Sequence, residues 1–271
     1  MKALTFITFF FVLNLHFIAP SLASSNAIIF DHNYHQYTSL LQQHVNNGLV
    51  NYKAIKANPN QLNTILNNWG RITKERFSSW SEQQQIAFLF NLYNGSTLKL
   101  IVDNYPVKSI KDIGGFFSGP WDQEMVSLFG NITTLDHVEH EILRKQYNEP
   151  RLHLSLVCAA MGCPPLRSEA YTATKLDSQL ADQAVLLLNH PLKFKIDKKK
   201  NTVYLSAIFK WYGGDFIKSY LPEKFIPGLS EKENSVTNYL SNFLPESEKG
   251  FIYKGGYDIK YLDYDWSLNE Q

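Results

Sequence analysis

The sequence predicts an α+β fold: a single helix-rich domain with a small, mainly antiparallel sheet. Three observations point there. Helical periodicity recurs along most of the chain, the β-patterned runs are short, and they do not alternate one by one with helices as βαβ repetition would require. No Gly-rich phosphate loop follows a strand, and Gly213-Gly214 and Gly255-Gly256 are isolated pairs.

The first element is a leader. MKALTFITFFFVLNLHFIAPSLASS has one Lys, an apolar stretch from Ala3 to Ile18, and small residues at Ser21 and Ala23 where a signal peptidase reads. The stretch is shorter than the ~20 residues of a membrane span and lacks a basic stop-transfer flank. Residues 1–23 are therefore expected to be a cleaved signal peptide, and 24–271 one globular domain, exported to the periplasm or beyond the cell. No later run is long and apolar enough to span, so no integral membrane segment is expected after cleavage.

Residues 33–45 and 59–69 read as short helices, with Val50 to Lys53 as a small extended piece. Ser81 or Ser79 caps the clearest helix, with Glu82 in its first turn. In QIAFLFNLYNGSTLKLIVDNYP, Ile86, Leu89, Phe90, Tyr93, Thr97, Leu100 and Ile101 recur at helical spacing, and Pro106 marks the end. This helix is apolar nearly all round and is expected to be buried, so Asn91 and Asn94 must find partners for their amides. Residues 114–130 read as a loop with an extended piece. Thr133 and Asp136 fit a capping box opening the helix DHVEHEILRKQY. LHLSLV, residues 152–157, reads as a strand, followed by a turn at Met161 to Pro165. Leu176 to Asn189 is amphipathic and helical. Residues 194–197 and 202–205 flank Lys198-Lys199-Lys200 as a hairpin with a solvated basic tip. Residues 208–216 read as a helix stopped by the Gly pair. Residues 235–244 read as another helix, and 251–264 as a closing strand.

The net charge is +1, which gives no electrostatic pull toward nucleic acid, and none is expected as a partner. Two cysteines are too few for a disulfide scaffold, so hydrophobic burial must supply the core. Both lie in LHLSLVCAAMGCPPLR, at Cys158 and Cys163. That concentration poses three alternatives: a nucleophile with a neighbour, a disulfide, or a metal clip.

FLFNLYNGSTLKLIVDNYPVKSIKDIG, LDHVEHEILR, PRLHLSLVCAAMGCPPLRSEAYTA, VYLSAIFKWYGGDF and YLDYDWSLN, in this order, resemble the family catalogued as domain of unknown function 547, over about residues 75–271. The resemblance implies a signature of Asn91, Tyr93 and Asn94, then Glu139 and His140, then Cys158 and Arg167. It implies no settled reaction. Family members can carry serine in place of the second cysteine, which speaks against an obligatory Cys158–Cys163 disulfide.

A thiol is a nucleophile when ionised and reachable, and an imidazole beside it stabilises the thiolate and returns the proton. The leading reading is a thiol-dependent hydrolase or acyl transferase acting on an amide or ester. Cys158 is the nucleophile, His140 the base, and Asn94 or Glu139 the group orienting the ring. Arg167 is a candidate anchor for a substrate carboxylate, or a partner of Glu139. Asn91, Tyr93 and His153 are candidate substrate contacts. Whether His140 or His153 faces the thiol is open. The bland alternatives are a buried core thiol, asparagines that peg a loop, and a wet-face His153. The alternative function is a non-catalytic binding module with a structural or redox Cys158–Cys163 bridge. A third reading gathers His137, His140, Cys158 and Cys163 around zinc or copper, although no HExxH occurs and the spacing is loose. No cofactor or metal is assigned. The expected partner is a small molecule or peptide.

Overall fold

The protein is described by a computed structural model over residues 30–115 and 118–271. The expected signal peptide lies outside the described residues. Asp31–Gln271 forms one compact unit.

Helix α1, His35–His44, leads into a two-stranded ribbon of β1, Val45–Asn46, and β2, Leu49–Val50. Helices α2, Tyr52–Ala57, α3, Asn60–Gly70, and α4, Lys74–Ser78, then wrap the long helix α5, Glu82–Asn104. Ser81 caps α5 in a reciprocal capping box with Gln84, which satisfies two otherwise orphaned N–H groups. Every residue of α5 from Ile86 to Leu98 is buried, as its all-round apolar pattern predicts. It packs against α2, α3 and the segment after Asp136, and so forms the axis of this part of the fold.

A hairpin of β3, Val126–Leu128, and β4, Asn131–Thr133, supplies the extended piece expected in 114–130. The next segment is helical as expected, but His137–Leu143 is a π-helix, continued by α6, Arg144–Gln146. Its buried residues are Val138, Glu139, Ile142 and Leu143, a spacing that the wider π turn keeps on one face. The cap also differs from expectation: Thr134, not Thr133, accepts the His137 N–H through its hydroxyl.

LHLSLV is not a strand. Pro150–Leu154 is a 3₁₀ helix begun by Pro150, and Leu156 and Val157 continue as irregular chain. Proline at the first helical position favours this start. Without a neighbouring strand, the alternation of Leu152, Leu154 and Leu156 reflects burial of the 3₁₀ turn and its exit, and all three are buried.

Helix α7, Leu176–Leu188, precedes the hairpin of β5, Phe194–Asp197, and β6, Thr202–Leu205, which matches the expected bounds and carries the lysines at its tip. The glycine pair does not end the helical path. Helix α8, Ala207–Tyr212, tightens into a 3₁₀ turn at Gly213–Phe216 and resumes as α9, Ile217–Tyr220. Helix α10, Glu231–Ser241, is capped by Ser230 and packs on this turn; a Cβ on Gly213 would lie 2.9 Å from Lys232 Cγ. The expected closing strand is shorter than its pattern: α11, Glu246–Lys254, occupies its first part and only β7, Asp258–Tyr261, is extended. Strand β7 adds parallel to β6, giving the order β5-β6-β7. Leu154, Val203, Phe209, Phe216 and Tyr239 form the core beneath this sheet.

After β7 the chain runs back as a strap. Gly162 N–H donates to Asp265 O, Met161 N–H to Ser267 O, and Asn269 N–H to Ala159 O. Asn269 continues to β2, where the Val50 N–H donates to its carbonyl, and its buried side chain joins Tyr52 Oη at 2.7 Å and Gly48 O at 3.0 Å. No helix among the described residues is long and apolar enough to cross a membrane.

Candidate functional site

A cleft of about 340 Å³ opens between the π-helix, the 3₁₀ turn, α8 and the strap. Tyr93, Glu139, His140, His153 and Cys158 line it together with Tyr212, Tyr264 and Trp266. Sequence-distant elements thus bring five of the expected site residues together.

The thiols sit on its floor. Cys158 is partly exposed and Cys163 is buried. The Cys158 thiol donates to Cys163 Sγ at 2.8 Å, and the Cys158 backbone N–H donates to the same sulfur at 2.8 Å. Tyr264 Oη lies 3.0 Å from Cys158 Sγ. Since the Cys158 proton points to Cys163, the phenol is the donor in that contact. The buried Lys193 ammonium donates to Cys163 O. Burial and the bond to Cys163 push the Cys158 thiol well above the ordinary value. Burial works against ionising Cys163 too, but the donors from Cys158 and Tyr264, with the nearby lysine, bring it below the ordinary value. The Cys163 sulfur is thus the group placed to accept the Cys158 proton when Cys158 reacts.

Neither imidazole touches a thiol. His140 Nδ1 lies 2.9 Å from Arg144 Nη1. A guanidinium can only donate, so this nitrogen is an acceptor, and the neutral ring carries its proton on Nε2, 3.4 Å from Asp136. The basic nitrogen of His140 is therefore occupied, contrary to its expected role as the base. His153 is arranged differently. Its Nε2 donates to Asp215 at 2.7 Å, its ring stacks on Tyr212 at 4.2 Å, and Nδ1 stands 3.8 Å from Glu139 Oε1. It is buried within the cleft wall rather than on a wet face.

Asp215 also receives Arg144 in a two-point contact at 2.7 and 2.9 Å. Burial raises its cost of ionisation, but the bonds from His153 and Arg144 outweigh this and hold the carboxyl well below the usual range. Tyr93 donates to Glu139 Oε2 at 2.9 Å, and burial together with that carboxylate pushes the phenol well above its ordinary value.

Three expected site residues are elsewhere. Asn94 does not reach an imidazole: its amide donates to Ser155 O at 3.0 Å and accepts from Val157 N–H at 2.9 Å. Asn91 likewise clamps both backbone groups of Tyr171. Both are pegs, because a buried amide takes whatever backbone is otherwise unpaired. Arg167 pairs with Glu169 and Asp182 in a separate hollow, not with Glu139. The proposed metal ligands do not converge: among the described residues no three of His, Cys, Asp and Glu form a metal-holding group, and His137 lines a different hollow. Asp215, Arg144, Tyr212 and Tyr264 were not anticipated as site residues. The signal available was the density of acids and aromatics in KWYGGDF and YLDYDW, two of the blocks already singled out.

The match to known proteins falls on this region. Residues 77–186 match the family model described as protein of unknown function, DUF547. Over those residues the chain is similar to the DUF547 family. The matched DUF547 segment contains α5, the π-helix and both cysteines, and ends within α7. Tyr212, Tyr264 and Trp266, which complete the cleft, and Asp215, which bonds to His153, lie beyond the matched span. No curated protein and no solved structure matches the chain.

Proposed function

We propose that this protein is an exported thiol-dependent hydrolase or acyl transferase acting on an amide or ester. Cys158 is the nucleophile. The observation that carries the reading is a partly exposed thiol in the same cleft as a carboxylate-oriented imidazole, His153 on Asp215. Asp215 fixes the His153 tautomer with Nε2–H, which leaves Nδ1 as the nitrogen able to take and return a proton. This assigns the base to His153 in place of His140. Glu139, steadied by Tyr93, stabilises the imidazolium once formed. Tyr264, as donor to Cys158, holds the thiol toward the cleft. Export rests on residues 1–23.

The test is a panel of activated esters and peptide amides on wild type and Cys158→Ala, with iodoacetamide rates followed against pH. Turnover is expected to vanish in Cys158→Ala. The pH at which Cys158 becomes reactive is expected to rise in His153→Ala. A rise in His140→Ala instead returns the base to His140, and turnover surviving in Cys158→Ala ends the reading.

A second reading, a non-catalytic binding module for a small molecule or peptide, is favoured by one observation: neither imidazole contacts a thiol. Ligand binding that survives Cys158→Ala, without turnover, selects it.

A further inference from the structure

We propose that Cys158 and Cys163 form a redox couple that exchanges with external disulfides, Cys158 attacking and Cys163 resolving. This activity goes beyond the hydrolytic reading and stands without it.

The first support is contact. The two sulfurs lie 2.8 Å apart with a proton between them. The second is preorganisation. The residue after Cys158, Ala159, holds the left-handed conformation at φ 55°, which folds the connecting turn back on itself. Asn94 holds the approach at Val157, the strap holds Ala159, Met161 and Gly162, and Lys193 holds Cys163. Closing the pair therefore orders little chain that is not already ordered. The third is asymmetry of access. Both sulfurs line the cleft, but Cys158 is the more exposed and Cys163 is only 5% exposed, so an incoming disulfide meets Cys158 first. A mixed disulfide on Cys158 would then have the resolving sulfur already beside it.

In the exchange, Cys158 Sγ bonds to one sulfur of an external disulfide RSSR, whose S–S bond breaks. The departing group leaves as RSH with the proton given up by Cys158. Cys163 Sγ next bonds to Cys158 Sγ, the bond from Cys158 to SR breaks, and the second RSH leaves with the proton of Cys163. Two electrons pass from the protein dithiol to the external disulfide. A small dithiol or glutathione runs the steps in reverse.

The experiment incubates the folded chain in glutathione buffers of graded oxidised-to-reduced ratio, quenches in acid, alkylates free thiols and reads intact and peptide masses. Wild type is expected to pass from two alkylated thiols to one internal bridge as the ratio rises, and to return on reduction. Cys163→Ser is expected to accumulate a glutathione adduct at Cys158, whereas Cys158→Ser leaves Cys163 unmodified. Two free thiols persisting under excess oxidised glutathione overturn the proposal. So does a bridge that dithiothreitol cannot open until the chain is unfolded, or an adduct that gathers on Cys163. If circular dichroism finds Cys163→Ser misfolded, rapid quenching of wild type replaces it: a transient adduct on Cys158 is expected, and one on Cys163 overturns the order. Ester turnover is not read in this assay, so its outcome is separate from that of the hydrolase reading.

Discussion

Asp215 joins the cleft's buried imidazole to a guanidinium. It faces His153 on one side and Arg144 on the other, with about a quarter of each member of the Arg144 pair still exposed. Asp215→Asn leaves that guanidinium without its counter-charge. Breaking a fully buried pair costs about 3–5 kcal/mol, and the partial exposure here lowers the expectation to about 2–3 kcal/mol in urea denaturation at pH 7. The sign of the pH dependence follows from a carboxyl held lower in the fold than in the unfolded chain. Its contribution is fully present above the unfolded value near 3.8 and is lost as pH falls through the folded one. The stability gap between wild type and Asp215→Asn is therefore expected to shrink only below about pH 4. A gap that collapses already between pH 7 and 5 would place the effect on another group.

At the scale of elements, α5 and the strap hold the thiol turn from opposite sides. Asn94 on α5 satisfies Ser155 O and Val157 N–H, all buried. Asn94→Ala removes two buried hydrogen bonds at once, and an expected loss of about 2–4 kcal/mol follows from roughly 1–2 kcal/mol for each orphaned group. Cys158 alkylation should quicken as the approach to the thiol loosens; an unchanged rate would mean that the strap alone fixes the turn. On the other side, a Cβ on Gly162 would lie 2.9 Å from Asp265 N and 3.0 Å from Asp265 O. Gly162→Ala is expected to push the strap off the turn and separate Tyr264 from Cys158, read as faster alkylation and a lower melting temperature. Helices α5, α7 and the β5–β6 hairpin were legible from periodicity and turn residues because each is stabilised by its own pattern. LHLSLV misled because alternation alone does not supply a partner strand, and Pro150 had already favoured a tight helical turn. The π character of 137–143 leaves no mark in a pattern read at 3.6 residues per turn.

At the scale of the molecule, the cleft is a meeting of residues 93, 139, 153, 158 and 264, with Asp215 bonded to His153. The cysteines, Glu139, His140 and Tyr93 were legible as a set because they fall in short dense blocks. Asp215 and Tyr264 were not, since no local pattern encodes which distant acid or phenol will arrive. The strap makes that arrival depend on Asn269, whose side chain ties Tyr52 and Gly48 to the C-terminal segment. Asn269→Ala is expected to cost about 2–3 kcal/mol, from two lost hydrogen bonds, one buried and one partly buried, and to expose Cys158 although Asn269 does not line the cleft. Thermal unfolding and thiol mass labelling on the same sample check both parts; lost stability with unchanged labelling would show that the strap detaches only at β2.

The strap also sets an order of events during synthesis. Helix α5, the π-helix and the thiol turn are all made before residue 170, but the phenol that donates to Cys158 is residue 264. Until the ribosome has added that residue and the chain has folded back, the thiol turn lacks its cover and its Tyr264 donor. A nascent chain stalled after β7 would carry both sulfurs without that cover, and thiol labelling of arrested chains of increasing length should report the moment at which residues 264–269 close over them.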